Sequence, residues 1–431
     1  MTGHTNMRFS ILLALAALGA AQAQQTMPLT LADAQRLAIQ NNPQFSAAKY
    51  TAAAAGQVPN QYRANLFPNL SGNFTSVGAD NGSRIAAGAL NNPVIYDRVG
   101  SGLTISQLVT DFGRTSNLIG MARLQAAAQD QVTETTRADI LLATSSAYFA
   151  VLSAQSVLKV VDETVTARQT VVDQVTALVE IAKRKSTLDL SFANVNLSGA
   201  KLLQVQAQNE LKGAEARLAA AMGLPGEPAF VLADEPMPPA MPDRVQDLID
   251  AAIQNRPELK DLRFQQSAAE RLAKAEHALY FPSVDVLGAA GFAPAAVAQI
   301  PGRYGAIGMN ISIPIFNGGL FRARQTEAEL KAKAAGENVN DLQNRVMRDV
   351  RIAWLNATTA YDRMALTREL LQQAQLAMDL SQSRYDLGLA DIVELSQAQL
   401  NLTSAQIANT TAGYDYQAQR INVDFQTGTL R

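Results

Sequence analysis

Apolar residues recur every three to four positions from Thr144 to Val179. Val151, Leu158, Val165, Val172 and Val179 hold one position of a heptad, and Ala147, Ala154, Val161 and Val175 hold the other, with Arg168 the one break. A 3.5-residue apolar repeat sustained over about five heptads keeps one side of a helix against a partner helix and imposes a left-handed supercoil. Neither Pro nor a Gly pair interrupts Arg114–Lys185, so the spacing predicts a coiled-coil arm of roughly 100 Å at ~1.5 Å per residue.

Elsewhere the period changes. Thr30-Leu-Ala-Asp33 resembles a capping box that starts a helix. That helix should break at Asn41-Asn42-Pro43, because proline disfavours helical geometry in the residue before it and crowds a preceding carbonyl. A second helical piece is expected to about Asn65. From Phe67 to Val77, Leu70 and Phe74 alternate with Asn69, Ser71, Asn73 and Thr75, which is the period of a strand. A Gly/Asn/Pro-rich loop, Gly78–Pro93, leads to a second alternating run, Val99–Val109, and the pair reads as a hairpin. The long helix follows from about Asp111. After Lys183-Arg184-Lys185 a returning helix is expected over Ser186–Met222, and Gly223–Pro228 with Pro236–Pro242 form a rigid non-helical linker.

Beyond the linker the sequence starts over. Ile39-Gln40-Asn41-x-Pro43 matches Ile253-Gln254-Asn255-x-Pro257, and Phe67-Pro68 matches Phe281-Pro282, both displaced by 214 positions (257 − 43). The second hairpin is shorter, so Ile105-Ser106, Gly113 and Tyr148 match Ile311-Ser312, Gly319 and Trp354 at a displacement of 206 (354 − 148). Asp189-Leu-Ser-x-Ala-x-x-Asn196-Leu then matches Glu394-Leu-Ser-x-Ala-x-x-Asn401-Leu at 205 (394 − 189). The chain is a tandem duplication of one unit: helix, β-hairpin, long helix, returning helix. The expected bounds are 24–222 for the first repeat (hairpin about 67–109), 223–243 for the linker and 244–431 for the second repeat (hairpin about 281–316).

Two repeats of rods cannot bury their own seams well, and four strands cannot close a barrel. Strands of about ten residues suit a membrane-spanning β-barrel, but closure needs more of them than one chain owns, so oligomerisation is expected. A transmembrane helix over the charge-free run Ile140–Leu158 is the rival reading. Its six Ser, Thr and Gln residues and the heptad seam running through it argue against that.

Composition narrows the function. The 431 residues are 48% hydrophobic with a net charge of only −2, which gives nucleic acid no basic surface. Cysteine is absent, excluding disulfides, zinc fingers and thiol catalysis. Only His4 and His277 exist, so no multi-His metal site is expected, and His277 reads as a solvated helix residue. Arg8, the apolar run Phe9–Ala20 and Ala21-Gln22-Ala23 have the form of a signal peptide, 1–23, cleaved after Ala23. Carboxylates are scattered without a paired motif, and Asn317-Gly-Gly319 lacks the context of a phosphate loop. No enzyme and no cofactor are expected.

The duplicated Asn-x-Pro segments, Phe67-Pro68 and Phe281-Pro282, Gln107–Arg114, Pro314–Gly319 and Arg384-Tyr385-Asp-Leu-Gly388-Leu-Ala-Asp391 together resemble the TolC-like outer-membrane efflux proteins. The resemblance covers essentially the whole mature chain. It implies an α+β membrane protein: a homotrimer whose three chains give four strands each to one 12-stranded outer-membrane β-barrel, continuous with a periplasmic α-helical coiled-coil barrel. Such channels are passive ducts of tripartite efflux or type I secretion systems, in contact with outer-membrane lipid, a periplasmic adaptor (membrane fusion) protein and an inner-membrane transporter. The resemblance also implies where the working residues lie. Gly388 sits where the chain must reverse, and a residue free to take positive φ permits that; this tip, with Leu389, would meet the adaptor. The first repeat places Lys183, Arg184 and Lys185 there instead. The periplasmic gate would be ringed by Glu394, with Gln397 where a second acid is expected and Asp189 as the equivalent of Glu394 in the other repeat. Tyr385 resembles a residue that tethers neighbouring hairpins closed, while Ala390 stands where some members carry a basic tether.

The alternatives are a periplasmic coiled-coil spacer or stalk and a passive uptake porin. A stalk leaves the two matched hairpins unexplained. Porins place far more strands in one chain and lack such a helical arm.

Overall fold

A computed structural model describes residues 29–78, 80, 98–180, 186–226, 230–294 and 302–430. The expected signal peptide, 1–23, and the basic run Lys183–Lys185 lie outside the described residues. The first repeat runs α1 (Leu31–Asn41), α2 (Pro43–Ala55), α3 (Val58–Ala64), β1 (Asn69–Val77), β2 (Arg98–Thr110), α4 (Arg114–Glu180) and α5 (Thr187–Ala221). The second runs α6 (Val245–Asn255), α7 (Pro257–His277), β3 (Ser283–Phe292), β4 (Arg303–Ser312), α8 (Leu320–Asp386) and α9 (Ile392–Gln426). The long helices α4 and α8 each have 67 residues, and the returning helices α5 and α9 each have 35.

Two boundaries depart from the sequence pattern. The helical piece expected from Pro43 to about Asn65 is divided into α2 and α3. Gly56 closes the last turn of α2 on Ala52, and Pro59 in the first turn of α3 has no N–H to continue the earlier helix. The long helix expected from about Asp111 begins at Arg114 because Phe112 and Gly113 are left-handed, with φ of 52° and 92°. Asp111 caps it, accepting from the Thr115 amide at 2.7 Å and the Thr115 hydroxyl at 2.6 Å. The positions that match Phe112 and Gly113 in the second repeat are Gly318 and Gly319, also at positive φ. A phenylalanine there carries a strain of about 1–2 kcal/mol. Its ring stacks on Phe281 at 5.7 Å, a contact that a glycine cannot make.

Contacts divide the chain into two compact units. One comprises the N-terminal segment through Gln40 with Thr144–Pro238 and Thr367–Tyr414; the other comprises Asn41–Ala143, Pro239–Leu366 and Asp415–Arg431. The heptad seam of α4 points into the first. Val151, Val161, Val172 and Val175 are buried, and Val172 and Val175 join Ala193, Leu197, Tyr385, Ile392 and Leu395 in one apolar cluster. The charge-free run of α4 is likewise used for packing, with Ile140, Leu141, Tyr148, Phe149, Val151 and Leu152 all buried.

In that unit Tyr148 is fully buried, and its hydroxyl donates to the carbonyls of Leu29 at 2.9 Å and Ala233 at 2.6 Å. It thereby fastens the N-terminal segment beside the linker, where Leu29 also bridges to Leu232. Burial first, then the Glu235 carboxylate, pushes the Tyr148 phenol up to about 12. A phenol whose pKa is raised on folding contributes stability that is complete below its unfolded value of about 10 and is lost as pH rises through the folded value. The expected result is a loss of stability between about pH 10 and pH 12 that Tyr148→Phe abolishes, at a cost of roughly 1–2 kcal/mol at neutral pH for the orphaned carbonyls. Denaturant melts across that pH range check it, and unchanged alkaline sensitivity in the variant would refute it.

In the other unit, Ile249, Ala252, Leu259, Val346 and Val350 form one apolar cluster and Ala353, Ala357, Tyr416 and Val423 another. Trp354, the repeat-mate of Tyr148, donates its indole N–H to Pro242 at 2.9 Å, and the Tyr416 hydroxyl donates to Pro239. Matching aromatics thus hold the linker at its middle and near its C-terminal end.

This unit also carries the sheet, a four-stranded antiparallel meander in the order β1-β2-β3-β4. Residues directly opposite in a sheet share a face. The pairings Leu70↔Ile105, Ile105↔Gly288 and Gly288↔Ile307 therefore gather Leu70, Phe74, Leu103, Ile105, Val284, Val286, Ile307, Met309 and Ile311 on one face. Asn69, Ser71, Asn73, Thr104, Ser106, Asp285, Asn310 and Ser312 take the other, together with Leu108, Leu287 and Tyr304, and there the Ser71 and Thr104 hydroxyls meet at 2.7 Å. The outer edges of β1 and β4 have no neighbouring strand among the described residues.

Candidate gate and adaptor contacts at the hairpin between α8 and α9

Helix α8 ends because Gly388 takes φ of +73°. The Leu389 amide donates back to the Arg384 carbonyl at 2.8 Å and the Gly388 amide to the Tyr385 carbonyl at 3.1 Å. This crossed pair is the glycine stop that satisfies the last carbonyls of a helix. Three residues later Asp391 opens α9, its carboxylate accepting from the Glu394 amide at 2.9 Å. The reversal therefore takes only five residues, 387–391. Leu387 and Leu389 are left exposed at the tip.

Arg384, in the last turn of α8, reaches across the reversal to Glu394 at 3.0 Å and approaches the Leu389 carbonyl at 3.4 Å. Glu394 thus stands in the first turn of α9 with its charge already matched. Asp189 holds the equivalent place in the first repeat but has a different task. It completes a capping box with Ser186, whose hydroxyl accepts from the Asp189 amide while the Asp189 carboxylate accepts from the Ser186 amide at 2.9 Å. Tyr385 is only 4% exposed, packed with Ile392, Leu395, Val172 and Val175. Burial raises its phenol above the ordinary value, and Asp189 and Asp386 add to the shift. The fold brings Tyr385 and Asp189 together in this way. Gln397 instead is exposed and bonds Asn401 on its own helix at 3.0 Å.

Two further contacts were not anticipated from the sequence. Arg384 is the ionic partner of Glu394, a pairing that its spacing of ten residues hides until the glycine turn folds it back. Asn196 on α5 donates to the Ser396 hydroxyl on α9 at 2.7 Å, tying the two returning helices together. The repeated Asn196 and Asn401 were visible as a pattern, but not this use of one of them.

Residues 34–224 and 248–429 match the outer membrane efflux protein family. Outer membrane protein TolC of Escherichia coli is 23% identical over 415 residues, which cover 90% of this chain and 80% of that protein. The probable efflux pump outer membrane protein TtgC of Pseudomonas putida is 24% identical over 359 residues, 80% of this chain and 72% of its own. Among solved structures, CusC superposes with a TM-score of 0.79 at 18% identity, covering 96% of this chain and 95% of that one. The CmeC outer membrane channel of Campylobacter jejuni gives 0.77 at 17% identity, with coverage of 100% and 94%. With its duplicated helix and hairpin unit and its four-stranded sheet, this chain belongs to the outer membrane efflux protein family.

Proposed function

We propose that three copies of this chain form one outer-membrane channel that extends into the periplasm and serves as the passive exit duct of a tripartite efflux or type I secretion system. The observation that carries this reading is the sheet: it has an apolar face, a more polar face and two edges with no neighbouring strand among the described residues. Unpaired edges are untenable in lipid, where every backbone group needs a partner, and twelve strands from three chains remove them. The apolar face then meets lipid and the polar face lines the lumen. The returning helices support the same assembly. Leu188, Val195 and Leu202 on α5 are exposed at heptad spacing, as are their repeat-mates Val393 and Leu400 on α9. Such stripes suit neighbouring helices in a closed ring. A coiled-coil stalk would use the stripes but not the sheet.

The hairpin tips, Gly388 and Leu389 with Lys183–Lys185, serve as adaptor contacts in this reading, and Glu394, Asp189, Gln397 and Tyr385 surround the periplasmic gate. The inner-membrane transporter is engaged through the adaptor. Crosslinking in native membranes is expected to yield a trimer that fractionates with the outer membrane and conducts in planar bilayers; monomers alone would refute the assembly. Deleting the gene is expected to sensitise cells to exported compounds without altering uptake.

A further inference from the structure

Arg168 breaks the apolar seam of α4 yet remains inside it. It is 5% exposed, and its Nη1 has no hydrogen-bond partner among the described residues. Val161 and Val175, one heptad to either side, are buried, and the position that matches Arg168 in the second repeat is the buried Ala374. One repeat therefore places a guanidinium where the other packs a methyl group.

A cavity of about 210 Å³ opens beside it, lined by Arg168, Thr164, Gln399, Thr403, Gln406 and, at its exposed rim, Glu163. All belong to the same compact unit. The Thr164 and Thr403 hydroxyls donate to carbonyls of their own helices, so the donors free to turn into the space are the guanidinium and the side-chain amides of Gln399 and Gln406. Burial alone pushes Arg168 down, to about 10, which still leaves it charged at neutral pH, and no carboxylate opposes that shift. Glu163 does not close the gap, since five residues along a helix put it on a different side from Arg168. Leaving a buried charge unpaired is costly, and a protein keeps one where something neutralises it.

We propose that this cavity is a binding site for a small monovalent inorganic anion, a halide such as chloride, held by Arg168 and the amides of Gln399 and Gln406. Glu163 at the rim disfavours divalent anions. Bound there, the anion neutralises the seam and makes packing among α4, α8 and α9 depend on the anion present. The site is built within one chain, so its test is independent of the oligomer.

Two measurements on the full chain in detergent decide it. Crystals grown in sodium bromide are expected to show an anomalous peak at the Arg168 guanidinium. Thermal unfolding in sodium chloride against sodium gluconate, at matched ionic strength, is expected to show the wild type a few degrees more stable in chloride. Arg168→Met should lose that difference while melting no lower than wild type in gluconate, because it removes the buried charge. Arg168→Gln serves if the methionine variant misfolds. A cavity holding only water or a neighbouring side chain, or an undiminished chloride effect in both variants, would overturn the proposal.

Discussion

Gly388→Val is expected to abolish export, to the level of a gene deletion, while the trimer still assembles and reaches the outer membrane. At φ of +73° an L-residue carries about 1–2 kcal/mol of strain, and a β-branched one more. The space around the glycine is otherwise empty, with nothing within 4 Å of an added Cβ. Any effect must therefore come from the backbone, through the two hydrogen bonds that end α8 and the turn that presents Leu387 and Leu389. The strain is local and far too small to unfold helices of 67 and 35 residues. Gly388→Asn should retain export, since asparagine tolerates the left-handed region. Drug-susceptibility assays with heat-modifiable migration as the assembly control check the pair. Wild-type export by the valine variant would remove the tip from adaptor engagement.

Glu394→Gln is expected to lower the cation preference of single channels by about fivefold, the equivalent of ~1 kcal/mol for one unit charge. Arg384→Ala should raise that preference, because the ion pair at 3.0 Å now offsets part of the carboxylate. The opposite signs matter more than either magnitude, since both variants break the same contact and a purely structural loss would move them together. Adding Asp189→Asn should change selectivity less and cost stability of ~1 kcal/mol, as that carboxylate is occupied in a helix cap. Reversal potentials in a salt gradient give the answer. An unchanged preference in Glu394→Gln, and again with Asp189→Asn added, would take these acids out of the gate.

The regular parts of the fold could be read directly from the chain because each has its own period. Val151, Val172 and Val175 announced the seam, Leu70 and Phe74 the strand, and the displacements of 214, 206 and 205 the duplication. What stayed hidden depends on chain reversal. Arg384 meets Glu394 only after Gly388 has turned the chain. Phe112 gave no sign of positive φ, because nothing local favours it there; its reward is a distant ring, Phe281. The pairing of Asn196 with Ser396 and the cavity beside Arg168 required knowing which helices lie side by side, which heptad spacing alone does not specify.

The two open edges of the sheet bear on how the channel is made. Among the described residues β1 and β4 have no strand on their outer edges, and a chain with such edges unpaired has no low-energy way to enter the bilayer by itself. In the proposed trimer, insertion is consequently expected to be a joint event of three chains, with a rate that rises with their concentration in the periplasm.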